Sequence, residues 1–336
     1  MKVKAADIAR ELQISKATVS LALNGKPGVS EQTRQEILAY KTHLENKMAE
    51  TASAIGKEKQ VIKVIFMHRD LKVAYNSLWT EVLAVFDQEI KKMDYSLGVT
   101  YVNVLTDSVE AVVNDCNMSS VAGVILCATE MQKQDYELLK NIQKPMIITD
   151  NDFEDNFHHR VCIDNISAVR LAVEYLLKRK CRRIVYLANE TEIFNFLQRR
   201  EGFLSALAAH NLTYNPDMMI PLGNTIEDVC ERMKRYLHKN PLPDAFVMEN
   251  YQVSIGVIKA MNSLGISIPE DVSLIGVDEV PDYATYDSKL TVIKIDHINR
   301  AHMATFLLQK EITENIPVKF KLMSDCRLIE GNSVKN

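Results

Sequence analysis

The chain has 336 residues, 47% apolar and 25% charged, which is the balance of a globular protein with more than one hydrophobic core. No apolar run approaches the roughly 18 residues of a membrane span, and the charged start MKVKAADIARELQ lacks the apolar stretch of a secretory signal, so we expect a cytoplasmic protein. The net charge is −4, yet residues 1–60 carry ten Lys and Arg against seven Asp and Glu. A basic head before an acidic body is typical of a protein that contacts a polyanion at one end.

The first segment predicts a small helical domain. Its apolar spacing gives three helices: 5–12, 16–24 and 31 to about 45. Ser15 and Ser30 are N-cap residues for the second and third helices, and Gly25 ends the second. A turn at Gln13–Ile14 joins the first two helices, and the second begins with small polar residues. This spacing is that of a helix-turn-helix whose second helix reads the major groove of DNA.

Residues 46–60 are polar and predict a linker, and from Val61 short apolar runs alternate with amphipathic stretches. The predicted strands are 61–67, 95–102, 123–127, 145–149, 183–188, 244–248 and 272–277. The predicted helices between them are 78–92, 132–142, 166–179, 200–210, 226–238 and 252–264. This alternation indicates two doubly wound parallel sheets with a ligand cleft beyond the carboxyl ends of their strands.

The expected domains are a head, a hinge and a two-lobed body. The boundaries are 1–46 for the head, 47–60 for the hinge, 61–160 with 292–324 for lobe one, and 161–291 with 325–336 for lobe two.

The head closely resembles that of the lactose-repressor (LacI) family, above all in DIA (7–9), TVS (18–20) and LNGKPGVSEQTR (23–34). The resemblance implies that Lys16, Ala17 and Leu21 face base edges in the major groove. It also implies contacts to phosphates, which position the head without reading sequence. The residues at those positions are Ser15, Thr18, Asn24, Ser30 and Thr33. Lys4 and Arg34 add positive charge.

The sequence departs from the family in the turn and the hinge. Gln13 stands where the family has Gly, at a cost of about 1 kcal/mol if that residue is left-handed. Met48 stands at the position of the hinge Pro, and Ile55 at that of the Leu that wedges into the minor groove. Ile55 is either such a wedge or an ordinary linker residue. The lack of an apolar face predicts that residues 47–56 fold only on DNA.

The body resembles the family's periplasmic-binding-protein-like domain, which implies a two-lobed sensor for a small molecule such as a sugar or nucleobase. The landmarks are GVIL (123–126), DN (164–165), RREGFLSAL (199–207), IPEDVSLIGVDE (268–279) and LTVIKID (290–296). The effector candidates are Asn76, Trp79, Asp150, Phe196, Arg199, Asn250, Tyr251, Asp278 and Asp296.

Some of these candidates have an alternative role. Arg199 offers a guanidinium fork for hydroxyls or a carboxylate. Asp278 directly follows a strand, at the end where ligands bind, but a role as a helix cap or turn residue is the alternative. Tyr251 replaces the Asp of a family A-N-D motif, so its ring either stacks on a ligand or blocks the pocket. Trp79 either stacks on a sugar face or belongs to the core. His297 is expected to be structural.

No GxSxG, HExxH, P-loop or GxGxxG motif occurs, the eight histidines lack metal-ligand spacing, and the six cysteines contain no CxxC pair. We therefore expect no enzyme, no cofactor, no metal and reduced thiols. The sequence predicts a repressor that acts as a homodimer on a double-stranded DNA operator, is modulated by a small effector, and does not bind a membrane. Two alternatives are a sugar-binding module with a weakened head and a regulator whose cleft takes no small effector.

Overall fold

The structure is a computed structural model, which describes residues 5–12, 14–56, 59–69, 78–154, 157–281, 284 and 289–336. The chain divides into two compact units, Met1–Lys59 and Gln60–Asn336. None of the described helices is long and apolar enough to cross a membrane.

The first unit contains three helices around a small core. They are α1 (Ala5–Glu11), α2 (Lys16–Leu23) and α3 (Glu31–Gly56). Ile8, Val19 and Ile37, one from each helix, are fully buried and pack together. Ser15 caps α2 by accepting a hydrogen bond from the Thr18 amide, and Gly25 follows this helix with a φ of +65°, the left-handed geometry that favours glycine. The predicted head is therefore a three-helix unit.

Helix α3 corrects the prediction for the hinge. The third helix is expected to end near residue 45, whereas in the structure it continues to Gly56 without a break. The stretch contains no Pro and no Gly before Gly56, and Met48, Ala49, Ala52 and Ala54 favour helix. A Pro at position 48 would remove a helical hydrogen bond and disfavour helix in the preceding residue. The departure from the family pattern at Met48 therefore permits a continuous helix.

The second unit alternates strands and helices along its whole length. Its first half contains β1 (Val61–His68), α4 (Leu78–Lys92), β2 (Ser96–Asn103), α5 (Val109–Cys116), β3 (Val121–Cys127), α6 (Lys133–Leu139), β4 (Met146–Thr149) and β5 (His159–Ile163). Next come α7 (Asn165–Lys178), β6 (Ile184–Ala188), α8 (Phe194–Ala209), β7 (Met219–Pro221), α9 (Ile226–Lys239), β8 (Ala245–Met248), α10 (Tyr251–Ser263) and β9 (Ser273–Val277). The chain ends with β10 (Thr291–Lys294), α11 (His297–Glu314), β11 (Lys321–Ser324) and β12 (Arg327–Ile329).

The strands form two six-stranded sheets of the same topology. The first has the order β11-β5-β4-β3-β1-β2 and the second β12-β10-β9-β8-β6-β7. All neighbours are parallel except β10 and β12, which are antiparallel. The predicted fold class, a helical head followed by a two-lobed α/β body, is confirmed.

Both faces of each sheet are covered by helices. In the first sheet Ile62 and Phe66 pack towards α4 and α11, whereas Ile65 and Met67 pack towards α5 and α6. In the second sheet one face packs on α7 and α8 and the other on α9 and α10. Burial on both faces explains why these strands are continuous apolar runs rather than alternating ones.

The chain crosses between the lobes three times, after β5, β10 and β11. Strand β10 pairs with β9 in the second sheet, so residues 292–294 belong to lobe two and not to lobe one as expected. Strand β5 lies in the first sheet, so lobe one extends to Ile163. The apolar pattern of a strand shows that it is buried, but only its pairing decides which sheet it joins.

Candidate DNA interface and effector cleft

The start of α2 presents the residues expected to read DNA bases. Lys16 and Ala17 are its first two residues and both are exposed. Leu21 is only partly exposed, and its side chain approaches Gly28 in the following loop. The Lys16 ammonium and the Ala17 methyl group are therefore accessible to a groove, whereas Leu21 also supports the loop.

Four of the phosphate candidates form capping pairs. The Ser15 hydroxyl accepts from the Thr18 amide at 3.0 Å, and the Ser30 hydroxyl accepts from the Thr33 amide at 3.1 Å. Asn24 donates its side-chain amide to the Ser20 carbonyl at 2.8 Å. The Ser pairs mark two helix N-termini, where backbone N–H groups and the helix dipole favour phosphate.

Arg34 ties α3 to the end of α2. Its two terminal nitrogens donate to the carbonyls of Ala22 and Lys26, both at 2.8 Å. Sequence reasoning treated Arg34 only as a positive charge, whereas the structure gives it a positioning contact. Lys4, Gln13 and the side chain of Ile55 lie outside the described residues.

In the body, the carboxyl ends of the two sheets carry a matching pair of glutamates. Glu130 accepts the backbone N–H of Arg69, after β1, at 2.5 Å. Glu249 accepts the backbone N–H of Asn189, after β6, at 2.7 Å. Each acid lies where the strand order reverses, between β1 and β3 or between β6 and β8, and ligands of doubly wound sheets bind outside this point.

Arg199 lies at this edge of lobe two. Its Nε donates to Asn165 Oδ1 at 2.9 Å, and a terminal nitrogen donates to the Glu249 carbonyl at 2.7 Å. Its guanidinium covers the ring of Phe196, which is 2% exposed. Phe196 is therefore a support beneath Arg199 rather than an open wall.

Glu249 and Arg200 form a buried network that the sequence did not reveal. The carboxylate accepts from Arg200 Nε at 2.8 Å and from the Tyr186 hydroxyl at 3.1 Å. Burial raises the pKa of Glu249, and the attraction of Arg200 only partly opposes it. The carboxylate is thus more easily protonated than an ordinary glutamate.

Asp278 connects the two lobes. It follows β9 in lobe two, and its Oδ2 lies 3.1 Å from Nε2 of His297, the first residue of α11 in lobe one. Burial raises the pKa of Asp278, but His297 and then Arg199 more than offset this, so the pKa lies below its ordinary value. Asp278 has a φ of +75°, and its Oδ1 accepts the backbone N–H of Glu279 at 2.9 Å, so it makes a turn-type contact in addition to the contact with His297.

Asp150 and Arg300 form a buried ion pair in lobe one. Arg300 donates to Asp150 Oδ1 at 2.6 Å, and the Thr129 hydroxyl donates to Oδ2 at 3.1 Å. Burial raises the pKa of Asp150, but Arg300 and then His297 outweigh burial, so its pKa is low. The Asp150 carboxylate is therefore charged and already bound by protein donors.

A small cavity lies beside this pair. It has a volume of about 20 Å³, enough for a water molecule, and its walls include Trp79, Cys127, Asp150, His297 and Arg300. The Trp79 ring also packs edge-on against Phe66, with ring centroids 5.3 Å apart. Trp79 thus belongs partly to the core and partly to the cavity wall.

A larger cavity of about 380 Å³ lies elsewhere in lobe two, next to Arg183, Met218 and Tyr236. It adjoins the amino end of β6, which is opposite to the edge where doubly wound sheets bind ligands. The residues expected to bind the effector lie at the opposite, carboxyl edge of the sheet.

The remaining candidates differ in their positions. Asn250 and Asp296 are the N-caps of α10 and α11 and accept from the amides of Val253 and Asn299. Tyr251, the first residue of α10, is partly exposed. Asn76 lies outside the described residues. The capping bonds give Asn250 and Asp296 a structural role at the edge of the cleft.

Sequence reasoning missed Arg300, Asn165, Asn189 and Glu249. A signal existed for Glu249 and Asn189, because each directly follows an apolar strand. Arg300 lies inside a helix, and only the packing of α11 on the first sheet brings it to Asp150. Among the described residues, no group of His, Cys, Asp and Glu is arranged to hold a metal ion.

The sequence and fold match known proteins in both units. Residues 5–43 match the family model "Bacterial regulatory proteins, lacI family", and residues 173–334 match the "Periplasmic binding protein-like domain". The transcriptional regulator GalS of Salmonella typhimurium strain LT2 is 28% identical over 306 residues, which cover 90% of this chain and 87% of GalS.

Among the similar solved structures, two illustrate the match over nearly the whole chain. The lac repressor dimer bound to operator and the anti-inducer ONPF has a TM-score of 0.71 at 20% identity, with 100% of both chains covered. The complex of the transcriptional regulator CelR with cellobiose has a TM-score of 0.70 at 17% identity, with 99% of this chain and 100% of CelR covered. With its helix-turn-helix head and its two-lobed body in this order, the chain belongs to the LacI family of bacterial regulatory proteins.

Proposed function

We propose that this protein is a transcriptional repressor whose operator binding is modulated by a small effector held between the lobes of the body. The observation that carries the proposal is one chain with two features: an exposed, capped α2 in the head, and buried polar and charged residues, including Arg199 and Arg300, where the two lobes of the body meet. The protein acts in the cytoplasm, where it meets its operator. It acts as a homodimer, because two heads fit the two half-sites of a palindromic operator.

Lys16 tests the DNA-binding half of the proposal. Lys16→Ala is expected to change sequence preference, at a cost of about 1–3 kcal/mol at one base pair, because Lys16 is exposed at the start of the reading helix. Operator titrations at several salt concentrations, with each base pair varied in turn, measure this. Equal weakening on all sequences would make Lys16 a phosphate contact.

A matched control is Lys91→Ala, which removes an exposed lysine of the body that pairs with Asp87. It should leave operator affinity unchanged, because Lys91 lies on α4 in the second unit and not in the helix-turn-helix head, and loss of an exposed pair costs the fold less than about 1 kcal/mol. If the wild-type protein binds all DNA sequences equally well, the proposal that it is a sequence-specific repressor is wrong.

Asp278 tests the effector half. Asp278→Asn keeps a side chain that tolerates positive φ and removes the charge, so effector affinity should fall about 10- to 100-fold. The measurement is the difference in melting temperature between the protein with an effector and the free protein, determined for wild type and for Asp278→Asn. An unchanged effector-induced shift would remove Asp278 from the site, and a collapse of the free protein would show that the bond to His297 is mainly structural.

A further inference from the structure

The larger cavity of lobe two lies at the amino edge of the second sheet, at the opposite end of β6 from the effector candidates. Its volume of about 380 Å³ falls in the range of about 300–1,000 Å³ that is typical of small-molecule sites. The wall residues lie within 182–185, 212–218, 236–240 and 241–243. Among the described residues, none of those expected to bind DNA or the effector lines this cavity. The cavity therefore has no role in the proposed function.

Part of the cavity wall is apolar and is held in place by the cores of lobe two. Leu212 packs against the core on one face of the second sheet, and Tyr236 packs against the core on the other face. The Tyr236 ring also contacts Phe246, with ring centroids 6.1 Å apart. Pro241 and Pro243 add two rigid rings to the wall. Fixed, flat apolar surfaces of this kind suit the ring of a small ligand.

Two adjacent arginines supply positive charge to the same wall. Arg182 and Arg183 are both exposed, and in the described part of the chain neither guanidinium forms a hydrogen bond or an ion pair. Their backbone is nevertheless fixed, because Asp244 Oδ2 accepts the N–H of Arg182 at 2.6 Å and that of Arg183 at 2.8 Å. Asp244 thus binds the backbone of the pair and leaves both guanidinium groups available to a ligand.

Other polar groups of the wall also have unused hydrogen-bonding capacity. Within the described residues, the side-chain hydroxyls of Thr213 and Tyr236 form no hydrogen bond. Asn215 Oδ1 accepts from the Asp217 amide at 3.1 Å, which leaves the side-chain NH2 of Asn215 as a donor. Asp217 is exposed, so water screens its charge. With two arginines against one aspartate, the wall has an excess of positive charge and of donors.

We propose that this cavity binds a small organic anion, with a flat ring against the apolar wall and a phosphate or carboxylate group held by Arg182 and Arg183. The planar guanidinium group matches the oxygens of either anion, and the hydroxyls of Thr213 and Tyr236 can donate to it. The length of β6, about 15 Å, separates this site from the carboxyl edge of the sheet. The ligand is therefore distinct from the effector, and the proposal does not depend on the repressor function.

Matched pairs of compounds test the proposal without knowledge of the natural ligand. Adenosine monophosphate is compared with adenosine, and salicylate with salicylamide, by calorimetric titration of the full chain at low ionic strength. At least one anion should bind about 10-fold more tightly than its neutral partner, and added sodium chloride should reduce the difference. The pair that shows the difference identifies the anion as phosphate or carboxylate. If neither anion binds more tightly than its neutral partner, the proposal is wrong.

The double variant Arg182→Gln/Arg183→Gln locates the bound anion. It removes both charges but keeps the backbone bonds to Asp244, so it should fold like wild type and lose the preference for the anion. Arg170→Gln is the matched control, because it changes an exposed arginine on α7 and should bind like wild type. A preference that survives in the double variant would place the anion elsewhere and contradict the proposal.

Thr213→Trp tests whether the cavity itself is needed. The new ring should fill the cavity and abolish the tighter binding of the anion, although both arginines remain. Tyr214→Trp is the control, because Tyr214 is the exposed neighbour of Thr213 and is not part of the wall. Unchanged anion binding in Thr213→Trp would show that surface arginines alone attract the anion. All these variants should keep wild-type operator affinity, so a failure of this proposal is distinguishable from a failure of the repressor function.

Discussion

Replacing Arg300 by Met is expected to lower the free energy of unfolding by about 3–5 kcal/mol. Asp150 is 4% exposed, and a terminal nitrogen of Arg300 lies 2.6 Å from its Oδ1. The substitution therefore leaves the buried Asp150 carboxylate without its cationic partner. Removing one partner of a buried pair costs more than the pair itself contributes, because the remaining charge is desolvated without compensation. Urea unfolding of wild type and Arg300→Met at pH 7 measures this.

The matched control is the double variant Asp150→Asn/Arg300→Met, which removes both charges. Asn tolerates the φ of +66° at position 150, so the double variant should recover most of the lost stability. If it is as unstable as Arg300→Met, the loss comes from packing around Arg300 rather than from the charge of Asp150.

The pH dependence of the free energy of unfolding should reverse in the single variant Arg300→Met. In wild type the pKa of Asp150 is low, so its contribution is present above the ordinary Asp pKa and is lost as pH falls through the folded value. In Arg300→Met burial should dominate and raise this pKa, so the folded form gains a proton more readily than the unfolded form. Stability relative to the double variant should then increase from pH 7 to pH 5, and a decrease would contradict this account.

Gly202→Ala is expected to lower the free energy of unfolding by about 3 kcal/mol and to weaken effector binding. A Cβ at this position would lie 2.6 Å from the backbone oxygen of Ile166 and 3.0 Å from its Cα. Helices α7 and α8 would have to separate, and the bond from Arg199 on α8 to Asn165 on α7 spans that same contact. Gly202 therefore holds Arg199, which we propose binds the effector, in place through close packing.

Glu201→Ala is the control, because Glu201 is the exposed neighbour of Gly202 on α8 and should change stability by less than about 0.5 kcal/mol. Urea unfolding and the change in melting temperature caused by an effector are the measurements. If an effector shifts the melting temperature of Gly202→Ala as much as that of wild type, the close contact of α7 and α8 does not position Arg199.

The sequence by itself determined the family, the fold class and most of the longer elements, but the predicted elements did not include α5, α11, β5, β7, β10, β11 or β12. Helix α4 was predicted over the same residues that the structure shows, and β1 and α9 to within one residue, because a buried face leaves a regular apolar pattern. The N-caps of α2 and α3 could also be predicted from the sequence, because the Ser15 and Ser30 hydroxyls accept hydrogen bonds from amides only three residues away. Signals of this kind are local and need no knowledge of the fold.

Only the tertiary structure decided the chemistry of the cleft. Arg300 and Asp150 are 150 residues apart, and nothing near either residue shows that one neutralises the other. The assignment of β10 to the second sheet, the link from Asp278 to His297 and the bond from Arg199 to Asn165 likewise depend on long-range packing. A charge pattern along the chain shows which groups are present, but their energies depend on burial and on neighbours that the fold brings together.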